Sequence, residues 1–186
     1  MKTPSIAMMV AALLIVQAAM SQVFMTRTGK ISFFSHTAVE DIKAENNEVL
    51  SFFDATKGEL RYQVLIKSFR FPKASMEQHF NQPTYMDSDK FPKSEFKGTI
   101  ADAKAVNVKK DGSYKVTATG ELTMHGVTQK VSVPGTITVK GGKVSANAVL
   151  TVKRSDYGVT VPSFSAAKIA DEIEVTLACD YEPYQQ

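Results

Sequence analysis

The chain has 186 residues, 22 Lys and Arg against 19 Asp and Glu for a net charge of +3, 44% apolar residues and a single cysteine. That length fits one domain with an ordinary core and excludes a large multidomain enzyme, and one cysteine excludes a disulfide-stapled fold. The apolar share is too high for disorder, and interspersed Lys and Glu lack the concentrated basic surface that nucleic-acid binding needs.

The chain opens on Lys2, an unbroken apolar run over residues 6–16, and then Ala18, Ala19, Met20 and Ser21. Positive start, short apolar stretch and small residues are the three parts of a secretory signal, so residues 1–21 are expected to be cut off after Ser21, with Ala18 and Ala19 as alternative cutting points. The remaining 22–186 form one exported domain, periplasmic or secreted. Its net charge is +2, since only Lys2 is lost.

From there the pattern is period two almost throughout, the mark of antiparallel strands with one wet face. Residues 30–34 read as a strand, 41–45 and 49–54 as a pair turning at Asn46-Asn47, and 59–71 as a strand after Thr56-Lys57-Gly58. Within the last, apolar parity slips from Leu60, Tyr62, Val64 and Ile66 to Phe69 and Phe71, which predicts a bulge at Lys67-Ser68. Met76, His79 and Phe80 have helical spacing, so 75–81 is a short amphipathic turn that Pro83 stops. Phe96, Gly98 and Ile100 begin another strand, and Asp111-Gly112 turns into the alternation Tyr114, Val116, Ala118, Gly120, Leu122, Met124. A turn at 126–128 shifts parity to Val131, Val133, Ile137 and Val139. Gly141-Gly142 makes a hairpin into Val144, Ala146, Ala148, Leu150 and Val152. Residues 163–169 read as a second short helix or a crossover, and Ile173, Val175, Leu177, Cys179 and Tyr181 as a last strand with the cysteine inside.

Candidate chemistry is sparse. His36, His79 and His125 are far apart and none has a metal-ligand neighbour at working spacing, so no metal site is expected. No nucleophile motif, phosphate loop or zinc-protease signature occurs, so neither catalytic residues nor a cofactor are expected. Asp87, Asp89 and Glu95 do not have EF-hand spacing, and Lys90 and Lys93 intervene.

What remains is apolar. Alternation alone leaves a sandwich and an antiparallel barrel open, but Phe69, Phe71, Met76, Phe80, Met86, Phe91 and Phe96 would converge on one end of the sheet, where a cavity could open. The same residues could also pack as a solid core.

Three segments, SFRFPKASMEQHFNQPTYMDSDKFPKSEFKG at 68–98, GELTMHGVTQKVSVPGTITV at 120–139 and RSDYGVTVPS at 154–163, resemble the YceI-like family of lipid- or polyisoprenoid-binding domains. The similarity runs in order from about Thr28 to Tyr184. It implies an all-β fold, a lipocalin-like antiparallel β-barrel of about eight strands with one or two short helices. By position it implies Met76, His79, Phe80, Phe91 and Pro92 near a cavity mouth. Leu122 and Met124 become lining residues, Gly126 a hairpin hinge, and Tyr157 and Val159 part of a late strand.

The reading that results is an exported, non-enzymatic protein holding an amphiphilic lipid, with a polyisoprenoid or isoprenoid-quinone tail favoured. Phe33, Phe69, Phe71, Met76, Phe80, Met86, Phe91, Phe96, Leu122, Met124 and Tyr157 would line the cavity, and His79 or His125 would meet a polar head. Apart from the bound lipid no cofactor is implied. Nucleic acid is excluded as a partner, while transient membrane contact and a homodimer stay open. The rival reading is a structural or stress-response interaction module whose barrel is filled by its own side chains.

Overall fold

The computed structural model describes residues 22–184, so the expected export signal at 1–21 lies outside the described residues. Eight strands follow one another: β1 (Val23–His36), β2 (Asp41–Asp54), β3 (Glu59–Leu65), β4 (Lys93–Ile100), β5 (Gly112–Met124), β6 (Val127–Lys140), β7 (Lys143–Lys153) and β8 (Glu172–Pro183). Each pairs antiparallel with the next, and β8 returns to β1. The sheet is therefore a closed up-and-down barrel without a free edge. One α-helix, α1 (Ala74–Phe80), lies in the connection between β3 and β4.

Alternation accounts for the inward face. Val116, Ala118 and Leu122 of β5 point in, and so do Val131, Val133, Ile137 and Val139 of β6. The parity exchange between them takes only two residues, His125 and Gly126, both with positive φ (51° and 77°). A tight turn of that hand matches the twist of the strands it joins. The turn therefore starts one residue earlier and ends two residues earlier than the expected 126–128, and Val127 and Thr128 already pair with Met124 and Thr123.

Two parity slips resolve in opposite ways from expectation. No turn forms at Asn46-Asn47, because β2 runs through it as one 14-residue strand. Instead Gly29 stands opposite Val49 and Ile31 opposite Asn46, a bulge that switches the inward set from Ala44 and Asn46 to Val49, Ser51 and Phe53. Where a bulge was expected, at Lys67-Ser68, the strand ends. β3 stops at Leu65, a 3-10 turn (Ile66–Ser68) leads the chain out of the sheet, and Arg70 then meets β2 in an isolated backbone pair with Glu45. Asn46 ties the two events together. Its side chain is 1% exposed, its Nδ2 donates to the Leu65 carbonyl at 3.0 Å, and its Oδ1 accepts from the Glu48 amide at 2.8 Å. Both backbone groups freed by the departing strand are thus satisfied.

The up-and-down order sorts the connections. Residues 55–58, 101–111 and 141–142 lie at one end of the barrel, and 37–40, 66–92, 125–126 and 154–171 at the other. The first end is filled: Phe24, Phe53, Val106, Val139, Val144 and Tyr181 are buried there, with the Phe53 ring 6.2 Å from Phe24 and 6.3 Å from Tyr181. Gly98 and Gly120 face each other across β4 and β5, and a methyl on Gly120 would overlap the backbone of Lys97 and Gly98. Their bareness lets the two strands approach closely there.

Candidate lipid-binding cavity

The other half of the barrel is hollow. A cavity of about 850 Å³ runs from Leu60, Ala118 and Ile137 in mid-barrel to the end that carries the long connections. This volume falls within the ~300–1,000 Å³ typical of small-molecule sites. Small inward residues on β5 to β7, among them Ala118, Gly135, Ala146 and Ala148, leave the space that larger side chains would fill.

The mouth is built from aromatic rings delivered by three different elements. Phe33 comes from β1, Phe69 and Phe71 from the stretch after the 3-10 turn, and Phe80 from the last residue of α1. The Phe80 ring lies 5.0 Å from Phe71, 5.6 Å from Phe33 and 5.7 Å from Phe69. α1 has no fully buried residue, so it sits on the mouth as a cover held chiefly by this half-buried ring. A second strap, 163–170, crosses from the β7–β8 side. The hydroxyls of Tyr85 and Ser165, 3.1 Å apart, join the loop after α1 to this strap, and the Ala170 amide donates to Ser35 Oγ at 3.0 Å. Arg154 fixes the base of this strap by donating to the carbonyls of Val159 and Ala170.

Of the residues expected to line the cavity, Phe33, Phe69, Phe71, Met76, His79, Phe80, Met86, Phe96, Leu122 and Met124 do so. His79 is an exposed α1 residue at the mouth, its ring stacked 6.4 Å from Tyr85. Two expectations are corrected. Phe91 lies outside, its ring 4.5 Å from His125 and against Gly126, because the loop after Met86 curls over the β5–β6 hairpin. Tyr157 is buried in a 3-10 turn (Arg154–Tyr157), not on a strand, and packs with Ile66, Met86, Val152 and Val159 beside the cavity. His125 donates from Nδ1 to the Tyr157 carbonyl at 3.1 Å, so it braces this corner and does not line the cavity.

The sequence reading missed the far wall. Leu150 of β7 and Val175 and Leu177 of β8 line the cavity, although their inward parity was already visible. It also missed the polar floor. Ser51 Oγ lies 2.7 Å from Tyr181 Oη, which donates to Tyr62 Oη at 3.1 Å. Burial pushes the Tyr62 phenol up to about 12 and Tyr181 well above the usual tyrosine value. Cys179 lies near, its thiol pushed up to about 12 mainly by burial, so it remains neutral.

Among the described residues no three His, Cys, Asp or Glu side chains come together as a metal-binding group. The lining cations Lys73, Arg154 and Lys168 are all at the mouth. What this arrangement can do is enclose hydrocarbon.

Known proteins agree with the architecture. A polyisoprenoid-binding domain from Saccharophagus degradans superposes with a TM-score of 0.76 at 12% identity, covering 88% of this chain and 99% of that one. Burkholderia cenocepacia BcnA gives 0.69 at 22% over 83% and 96%, and a Campylobacter jejuni YceI protein 0.60 at 18% over 81% and 90%. At these identities the likeness is one of fold. In sequence, a UPF0312 protein of Pseudomonas putida strain GB-1 is 28% identical over 108 residues, 55% of this chain and 53% of that protein. The matched segment thus spans about half the length of such relatives. A UPF0312 protein of Pseudomonas savastanoi pv. phaseolicola is 26% identical over 119 residues, 59% and 58% of the two chains. The description of the YceI-like domain matches residues 15–181, and the chain belongs to that family.

Proposed function

We propose that this protein is an exported, non-enzymatic carrier or buffer that holds the hydrocarbon part of one amphiphilic lipid inside its barrel, an isoprenoid chain being the favoured guest. One observation carries the reading: an apolar cavity of about 850 Å³ enclosed by a closed sheet and covered at its mouth by a Phe-anchored helix. At roughly 30 Å³ per water-sized group, that volume takes about 28 such groups, or between five and six five-carbon units. Each buried methylene contributes roughly 0.8 kcal/mol, so one unit supplies about 3–4 kcal/mol before the cost of ordering the chain. Two or three enclosed units reach the ~8 kcal/mol of micromolar binding. The polyisoprenoid-binding domain of Saccharophagus degradans, with the same fold, supports the choice of guest. The charge and apolar pattern of residues 2–21 supports export. The rival, a barrel filled by its own side chains, describes only the closed end.

The test is extraction of the purified protein with organic solvent and mass spectrometry of the extract, followed by titration of guest-free protein with a polyprenol and an isoprenoid quinone. One amphiphile per chain and a raised melting temperature on titration are expected. Repeated absence of any bound amphiphile, with no thermal shift from either compound, would overturn the reading.

A further inference from the structure

The described residues leave five large apolar side chains exposed, and these are not spread evenly over the barrel. Phe164, 80% exposed, is on the strap at the mouth. Val39, 61% exposed, is on the 37–40 connection beside it, where the Ala170 amide of the strap reaches Ser35. Leu65 and Phe34 sit at the mouth ends of β3 and β1. Only Val149 stands apart, on the outer wall of β7, and the connections at the closed end carry none of the five.

Phe164 is also part of the cavity wall, together with Val161 and Ile169 of the same connection. One ring therefore belongs both to the lip of the cavity and to the outer surface. A hydrocarbon guest is disfavoured in water by an amount that grows with every methylene, so passage without an aqueous step requires this lip to touch the apolar phase from which the guest comes. Charge agrees with an apolar contact. The mouth connections 37–40, 66–92, 125–126 and 154–171 carry six Lys and Arg against six Asp and Glu, whereas the closed-end connections 55–58, 101–111 and 141–142 carry four Lys against two Asp. A membrane contact driven by charge would use the closed end, and one driven by insertion of apolar side chains uses the mouth.

We propose that the mouth docks end-on against the surface of a lipid bilayer, with Phe164 entering the apolar layer as the anchor and Val39 beside it, so that the cavity opens toward the membrane. This rests on the carrier reading and adds the partner and the face through which the guest passes. Because the mouth has no net charge, a zwitterionic bilayer is sufficient.

The chain has no tryptophan, so Phe164→Trp places a single reporter at the lip and Val149→Trp a single reporter on the wall. On addition of phosphatidylcholine vesicles, emission from Phe164→Trp is expected to move to shorter wavelength and to be quenched by lipid brominated along its acyl chains, while emission from Val149→Trp does neither. The shift is the same in about 0.05 M and about 0.5 M salt. In flotation, Phe164→Ser binds the vesicles roughly tenfold more weakly than the wild type, the effect of losing most of one buried Phe ring. Unmoved emission in Phe164→Trp, equal shifts from both reporters, binding confined to anionic vesicles and lost in salt, or a shift that appears without vesicles as the chain self-associates overturns the inference. Uptake of a polyprenol from cyclodextrin by the same preparations separates the two readings: uptake without vesicle contact at the lip removes the docking surface and leaves the carrier, and vesicle contact without uptake removes the carrier and leaves the surface.

Discussion

If one end of the barrel is solid and the other hollow, two phenylalanines of the same size should respond differently to truncation. Phe53 is 1% exposed and enclosed between Phe24 and Tyr181 at the filled end. Phe53→Ala leaves a sealed void, and a loss of about 3–5 kcal/mol follows. Phe80 is half-buried over an existing cavity, so its truncation widens open space without creating a new void. Burying half of such a side chain contributes about 1 kcal/mol, and contacts of one ring with three neighbours at 5.0–5.7 Å add about another 1. Phe80→Ala is therefore expected to cost about 2 kcal/mol in urea denaturation of guest-free protein, well below Phe53→Ala. Hydrogen exchange separates the two further. The ring is the main anchor of α1, so amides of the helix should exchange roughly thirtyfold faster in Phe80→Ala, at 1.4 kcal/mol per factor of ten. They should not change in Phe53→Ala, whose void lies at the far end. Equal losses for both variants, or α1 exchange that is the same in both, would refute the division into filled and hollow halves.

Gly120→Ala should lose about 3 kcal/mol or more in urea, because the added methyl meets backbone that cannot swing aside, whereas Gly141→Ala, at φ +56° in open space, should cost only about 1. Asn46→Ala strips partners from the Leu65 carbonyl and the Glu48 amide, and a loss of about 2–4 kcal/mol by the same measurement is expected. Stability should fall on the alkaline side. Folded Cys179 and Tyr62 both ionise near 12 instead of near 9 and 10, so the stabilisation they contribute is complete below pH 9 and is lost as pH rises toward 12; a urea midpoint that is flat from pH 8 to 11.5 would contradict it. For the same reason a thiol reagent at pH 8 should label Cys179 only as fast as the protein unfolds. Ala148→Phe places a ring in the hollow half, so guest uptake should drop while the melting temperature stays level or rises. Undiminished uptake would show the space to be irrelevant.

The strands from Tyr114 onward were legible because their alternation is unbroken and their turns are tight. The first half was less so, and the reason is the two bulges where β1 and β2 change register. They break period two within single strands, which hid residues 23–29 of β1 and cut β2 in half. A polar pair at a parity slip means the same thing in sequence whether the strand turns, bulges or ends. Asn46-Asn47 bulges and Lys67-Ser68 leads out because of where the backbone hydrogen bonds go. The Leu65 carbonyl finds the Asn46 side chain, a partner 19 residues away that no local pattern announces. Barrel and sandwich were inseparable for a related reason: closure of β8 on β1 joins the two ends of the described chain.

The site was legible where it depends on crowding and illegible where it depends on emptiness. Seven bulky apolar residues between Phe69 and Phe96 announced an aromatic mouth, and only Phe91 went elsewhere. The hollow itself is written in the residues that are not bulky. Inward positions on β5 to β7 carry Ala118, Gly135, Ala146 and Ala148, whereas the inward positions near the closed end carry Phe53, Tyr114 and Tyr181. Small residues on one wall would normally be met by large ones from across the barrel. Here the large ones, Phe33, Phe69, Phe71 and Phe80, are drawn up to the mouth and occupied with one another. Since small residues at the waist with rings at the rim leave a gap that water would fill poorly, the cost of that gap is offset only when something apolar occupies it.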